Sequence, residues 1–161
     1  MLPFSSLKAA SPALAHPSKR HGIVTLTLDE FAYGFVNTFG AEDAAAAYER
    51  YAVPETGRIF YEAGFANFAL HPPTEVHFKN DGRAPLLIVG AEKDHTVPAS
   101  VARAQYKKYQ RSVAKTDYLE FEGRPHLFIV GAGSDEVAAA IDSWLDGVLD
   151  AAPAQDGGRR S

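Results

Sequence analysis

Cysteine is absent from the 161 residues, which excludes disulfide bonds, thiolate zinc sites and a cysteine nucleophile. The chain also lacks an excess of positive charge, because 16 Lys and Arg stand against 20 Asp and Glu. We therefore expect no nucleic-acid partner. No apolar run approaches the roughly 18–20 residues that a membrane-spanning helix needs, and prolines interrupt the N-terminal stretch where a signal peptide would be apolar. These absences predict a soluble, cytoplasmic protein with no membrane partner.

The composition is that of a folded globule, with 46% hydrophobic and 22% charged residues. The length allows one compact domain. Residues 1–22 contain three prolines and four serines without sustained periodicity, and they predict an extended leader. Residues 150–161 combine glycine, proline and arginine with no large apolar side chain, and they predict a disordered tail.

Residues 23–78 have the pattern of a small helical layer. Residues 23–28 alternate like a short extended segment, and Thr27 and Glu30 have the capping-box spacing that begins a helix. Apolar periodicity and stop signals predict three helices. The first contains Phe31, Phe35 and Phe39 and is closed by Gly40, the second covers 41–52 and the third covers 58–68.

Residues 79–149 predict a βαβ unit followed by a C-terminal helix. Residues 85–90 are apolar on both faces, which is typical of a strand inside a parallel sheet. A helix over 99–113 and a strand over 116–121 follow, and Ser134 has the position of an N-cap for the last helix. With so few strands, we expect an open sheet edge that favours self-association or binding of a complementary chain.

Two loops follow the two predicted strands, and each carries a residue suited to acid–base chemistry. Asp94 lies after the first strand and His126 after the second. Side chains at the carboxyl ends of neighbouring parallel strands converge, so we expect this carboxylate and this imidazole to meet. Such a pair fixes the imidazole tautomer and prepares it to take a proton from a hydroxyl group.

The residues in 85–98 and 121–126 resemble the last third of α/β-hydrolase fold enzymes. The aromatic helix and the segment 48–54 resemble the helical cap of the same family. The resemblance implies a partial α/β-hydrolase-like fold, in which a cap segment (23–78) precedes the C-terminal part of the core (79–149). It implies that Asp94 is the triad acid, that His126 is the triad base and that the substrate is a small ester-like molecule.

The family's nucleophile motif, G-x-S-x-G, occurs nowhere in the 161 residues, and neither does an oxyanion-hole run of the HGGG type. We therefore expect an esterase-like hydrolase relative that is inactive as this isolated chain. The alternatives are a non-catalytic binding module or one half of a split hydrolase. The remaining histidines show no metal-ligand spacing, and we expect no metal or cofactor.

Three other readings of single residues stay open beside this one. Glu92 could replace Asp94 as the acid, and His95 could exchange roles with His126. Ser134 follows two glycines as an elbow serine might, although its position favours a helix cap. The same glycines also resemble the start of a dinucleotide fingerprint, but Glu136 occupies the place of the third glycine, which argues against that site.

Overall fold

A computed structural model describes residues 3–14, 20–65 and 75–151 of the chain, with mixed helices and small sheets. It contains two units, 1–128 and 129–161. In chain order the elements are α1 (Phe4–Leu14), β1 (Ile23–Val24), α2 (Leu28–Phe35), α3 (Ala41–Tyr51), β2 (Glu55–Thr56), α4 (Arg58–Phe65), β3 (Leu86–Ala91), α5 (Ala99–Tyr109), β4 (Thr116–Phe121) and α6 (Ser134–Asp150). No helix in the described ranges is both long enough and apolar enough to cross a bilayer.

Helix α1 replaces the extended leader that the sequence predicts, so that prediction is wrong for residues 4–14. Pro12 lies inside this helix and cannot donate the backbone hydrogen bond that the carbonyl of Lys8 would normally accept. The hydroxyl of Ser11 donates to that carbonyl instead, at 2.7 Å. The helix thus tolerates its proline, and it packs against α2 and α4.

Helices α2 and α3 form the main apolar core of the first unit. The predicted capping box is confirmed, because Thr27 Oγ1 accepts from the N–H of Glu30 and the Glu30 carboxylate accepts from the N–H of Thr27. Helix α2 ends earlier than expected, and Gly40 serves as the N-cap of α3. The buried residues of this core are Phe31, Val36, Ala44 and Ala47.

The extended segment predicted over 23–28 is a strand only at Ile23–Val24. This β1 pairs antiparallel with Glu55–Thr56, a partner that the sequence did not indicate. The backbone at Leu26 is satisfied differently, since its carbonyl accepts a hydrogen bond from the hydroxyl of Tyr48 at 2.8 Å. A side chain from α3 therefore takes the place of a strand neighbour there.

The predicted βαβ unit is present. Strands β3 and β4 pair in parallel from Leu86 opposite Thr116 to Ala91 opposite Phe121, and α5 packs against both strands. Helix α5 ends before the predicted residue 113. The N–H groups of Arg111 and Ser112 donate to carbonyls three residues back, which already departs from the α-helical pattern, and the N–H of Val113 donates to the carboxylate of Asp81 at 3.0 Å.

The sheet and α5 meet around Tyr118, whose ring stacks on Tyr106 with centroids 5.7 Å apart. The Tyr118 hydroxyl donates to Glu120, which also forms an ion pair with Arg103 at 3.2 Å. Burial and the neighbouring Glu120 carboxylate raise the pKa of Tyr118 to about 12. A Cβ at Gly90 would lie 2.5 Å from the Tyr118 hydroxyl oxygen, so any larger residue at position 90 would require the Tyr118 side chain to shift.

The second unit contains α6. Its N-cap is Gly133 in a left-handed conformation with φ of 78°, and Ser134 is the first helical residue with no side-chain capping bond. The prediction that Ser134 caps the helix is therefore wrong by one position, because glycine supplies the positive φ that the preceding turn requires. The predicted tail lies, from residue 152 onward, outside the described residues, as does the predicted helical stretch 66–68.

Candidate functional site

The loop after β3 is organised by the carboxylate of Asp94. The side chain is only 6% exposed. One oxygen, Oδ1, accepts hydrogen bonds from the backbone N–H groups of Thr96 and Val97, both at 2.7 Å. The N–H of Asp94 itself donates to the carbonyl of Ala91, the last residue of the strand. The carboxylate is therefore held by its own loop, with the second oxygen left to point elsewhere.

Three hydrogen bonds join residues 121–124 to the loop after β3. The first is a backbone bond from Glu92 N–H to Phe121 O at 3.0 Å, which continues the pattern of the parallel ladder, and the second runs from Lys93 N–H to Arg124 O at 2.9 Å, outside that pattern. The third runs from Gly123 N–H to the Glu92 carboxylate at 2.8 Å. That bond and the adjacent Lys93 lower the pKa of Glu92. The two loops therefore stay side by side just beyond the ends of the strands.

This arrangement brings Asp94 and His126 together. Oδ2 of Asp94 lies 2.8 Å from Nδ1 of His126. Because the carboxylate accepts hydrogen bonds at both oxygens, Nδ1 carries the hydrogen and Nε2 is left as the acceptor nitrogen. The imidazole is 30% exposed, and its ring meets the edge of Phe35 with centroids 5.1 Å apart. No hydrogen bond joins Nε2 to any residue within the described ranges.

Chemically, the pair is an imidazole with one nitrogen bound to a buried carboxylate and the other able to take a proton. Asp94 would be the counter-ion of the imidazolium that forms when Nε2 accepts that proton. A hydroxyl placed within about 3 Å of Nε2 would therefore be deprotonated as it attacks an electrophile.

The C-terminal end of α2 contacts both loops, which the sequence did not indicate. The last helical carbonyls have no partner inside the helix. Three of these carbonyls accept a hydrogen bond from a loop group. His95 Nδ1 donates to Tyr33 O at 2.9 Å, Thr96 Oγ1 donates to Gly34 O at 2.7 Å, and the N–H of Leu127 donates to Phe35 O at 2.8 Å. Sequence periodicity identified Phe35 as a core residue, but no local pattern marked Thr96.

The alternative residues are engaged elsewhere. The carboxylate of Glu92 accepts from Gly123 and from Lys93, at 2.8 and 3.0 Å, and not from a histidine. His95 directs its ring toward α2, where the Tyr33 ring lies tilted at 32° to it with centroids 4.5 Å apart. Asp94 and His126 are therefore the acid and imidazole that the structure joins. Ser134 lies in the second unit. Among described side chains, no three His, Asp or Glu are grouped to ligate a metal.

No protein-family model matches the chain, and no curated protein matches its sequence. The resemblance to α/β-hydrolases therefore stays a prediction that depends on the residues of the two loops.

Proposed function

We propose that this chain is a relative of the serine-type α/β-hydrolases and contains their helical cap, acid and histidine. The observation that supports this most strongly is the 2.8 Å contact between Asp94 Oδ2 and His126 Nδ1, at the ends of two parallel strands joined by one helix. Under this proposal residues 23–78 form the cap and 79–149 the C-terminal part of the core.

The proposed reaction is hydrolysis of an ester-like bond. A serine hydroxyl at Nε2 of His126 attacks the acyl carbon and gives its proton to the imidazole. The alcohol leaves with that proton, and an acyl-serine ester remains. Water then attacks the acyl carbon and gives a proton to His126, the bond between the acyl carbon and the serine oxygen breaks, the carboxylic acid leaves, and the serine oxygen takes the proton from His126. Asp94 stabilises the imidazolium in both steps.

The serine in this proposal does not come from the 161 residues, because no G-x-S-x-G occurs among them. Without that hydroxyl and the oxyanion donors beside it, the covalent step cannot take place. We therefore expect the chain alone to be inactive toward esters. A polypeptide that brings a strand, a G-x-S-x-G turn and a helix would complete the site.

The test compares the chain alone with the chain mixed with such a serine-bearing hydrolase segment. A fluorophosphonate probe reports a reactive serine, and a p-nitrophenyl ester reports turnover. We expect neither labelling nor ester hydrolysis with the chain alone. After mixing, we expect labelling of the added segment and hydrolysis of the ester. The activity should disappear with His126→Ala and fall steeply with Asp94→Asn. His77→Ala changes an exposed histidine far from the pair in sequence and serves as the matched control.

Labelling of the chain by itself would contradict the proposal, because it would require a reactive serine within the 161 residues. Activity after mixing that survives His126→Ala would contradict it as well. If the segment binds but no serine is labelled, the result favours the alternative function.

That alternative is a non-catalytic binding module, and the free edge of β3 favours it. In the described part of the chain, only β4 pairs with β3. The N–H groups of Leu86 and Glu92 donate to the β4 side, so those of Leu87 and Val89 face the opposite side. Strand β3 is apolar throughout, whereas β4 carries Asp117 and Glu120. We propose that this edge binds a complementary chain or a second copy, and light scattering of the same mixtures measures either association.

A further inference from the structure

The end of α2 lies at the junction of the two loops that carry Asp94 and His126. The carbonyls of Tyr33, Gly34 and Phe35 would be without partners if the helix ended in isolation. Two side chains from the loop after β3 and one backbone N–H from the loop after β4 bond these carbonyls. The helical layer therefore contacts both members of the pair through their own loops.

We propose that Thr96 is a positioning residue that sets the orientation of the Asp94 carboxylate against His126. Its hydroxyl donates to Gly34 O at 2.7 Å, and its backbone N–H donates to Asp94 Oδ1 at 2.7 Å. One residue thus connects the end of α2 to the carboxylate oxygen that does not face the histidine. With Oδ1 fixed in this way, Oδ2 is directed at Nδ1 of His126.

His126 is also positioned by the C-terminal end of α2. Leu127, the residue after His126, donates its N–H to Phe35 O at 2.8 Å, and the ring of Phe35 meets the imidazole at an interplanar angle of 76°. Both partners of the 2.8 Å contact are therefore positioned from a single turn of α2. The helical layer therefore holds Asp94 and His126 in position, in addition to any role as a cover over the site.

The catalytic meaning of this role depends on the proposed function, but the geometry is measurable without any activity. The Nδ1 proton of His126 gives a low-field proton NMR signal when a carboxylate holds it, and the signal is assigned by its loss in His126→Gln. Three variants of the full chain separate positioning from folding. Thr96→Val removes the hydroxyl at nearly constant volume, Thr96→Ser restores it, and Ser112→Ala removes a comparable hydroxyl-to-carbonyl bond near the opposite end of β4.

We expect Thr96→Val to lose the signal, or to exchange its proton with solvent about tenfold faster, as the loss of one net hydrogen bond implies. Thr96→Ser and Ser112→Ala should keep the signal, although Ser112→Ala lowers the melting temperature. An unchanged signal in folded Thr96→Val would overturn the proposal. If Thr96→Val does not fold, Thr96→Ala is measured in its place, and failure of both to fold would overturn it too, since the hydroxyl would then be needed for folding itself.

The outcome is independent of the esterase test. A chain that never supports ester hydrolysis and yet loses the Nδ1 signal in Thr96→Val would refute the proposed function and keep Thr96 as the positioning residue. Full ester hydrolysis together with a signal that Thr96→Val leaves unchanged would support the proposed function and refute the positioning role of Thr96.

Discussion

The sharpest prediction concerns the difference between two substitutions of Asp94. Asp94→Ala removes the acceptor for the N–H groups of Thr96 and Val97 and for the ring of His126. Asp94→Asn keeps an amide oxygen that can still accept from the two backbone groups, although as weaker neutral bonds, and its largest effect is on the contact with the histidine. The two variants therefore separate the carboxylate's role in its loop from its role in the pair.

The magnitudes follow from the value of a hydrogen bond to a charged group, about 1.5–3 kcal/mol. We expect Asp94→Asn to lose about 1–3 kcal/mol of unfolding free energy, for one altered bond. Asp94→Ala should lose about 3–6 kcal/mol, because two backbone donors are left without an acceptor in a site where the side chain is only 6% exposed. A loss of that size is comparable with the whole stability of many domains, about 5–15 kcal/mol.

Urea unfolding followed by circular dichroism measures both losses, with the slope of free energy against urea as a check that only stability has changed. Equal losses for the two variants would refute the reasoning, since they would mean that the Oδ1 bonds contribute nothing to the loop. A smaller loss for Asp94→Ala than for Asp94→Asn would refute it more directly.

Two further predictions concern the strand pair. Gly90→Ala should destabilise the protein by about 1–3 kcal/mol, because the new methyl group displaces the Tyr118 hydroxyl from Glu120. The loss of unfolding free energy should be smaller when Tyr118→Phe is also present. Urea unfolding measures both losses, and losses that simply add would contradict this prediction. Because the folded pKa of Tyr118 is raised from 10.0 to about 12, the stability that this group contributes is complete below pH 10 and is lost as the pH rises toward 12. The unfolding free energy of Tyr118→Phe should therefore fall less over that interval, and parallel curves for the two proteins would count against the assignment.

The sequence was most informative where a local pattern has one structural solution. The capping box at Thr27, the parallel pairing of β3 with β4 and the meeting of Asp94 with His126 each follow from short-range rules of spacing and chain direction. For the last of these, a single crossover connection favours neighbouring strands, and parallel pairing then puts the two carboxyl ends at the same edge of the sheet.

The misses have two causes, a local side-chain bond that takes the place of a missing backbone donor in α1 and tertiary contacts that no local rule describes. Pro12 and its neighbouring serines predicted an extended leader, but the Ser11 hydroxyl supplies the hydrogen bond that proline cannot donate. Helix α5 stops short of residue 113, and the N–H of Val113 donates instead to Asp81, which is distant in sequence. The bond from Thr96 to α2 spans 62 positions, and no periodicity can register a contact over that separation.

The packing of Tyr118 over Gly90 has an evolutionary consequence. A ring that occupies the space of a missing methyl group makes two positions on neighbouring strands dependent on each other. In any homologous chain that carries a larger residue in place of Gly90, we expect a smaller or differently oriented side chain in place of Tyr118. Such paired exchanges are the mark by which diverged descendants of this strand pair could be traced.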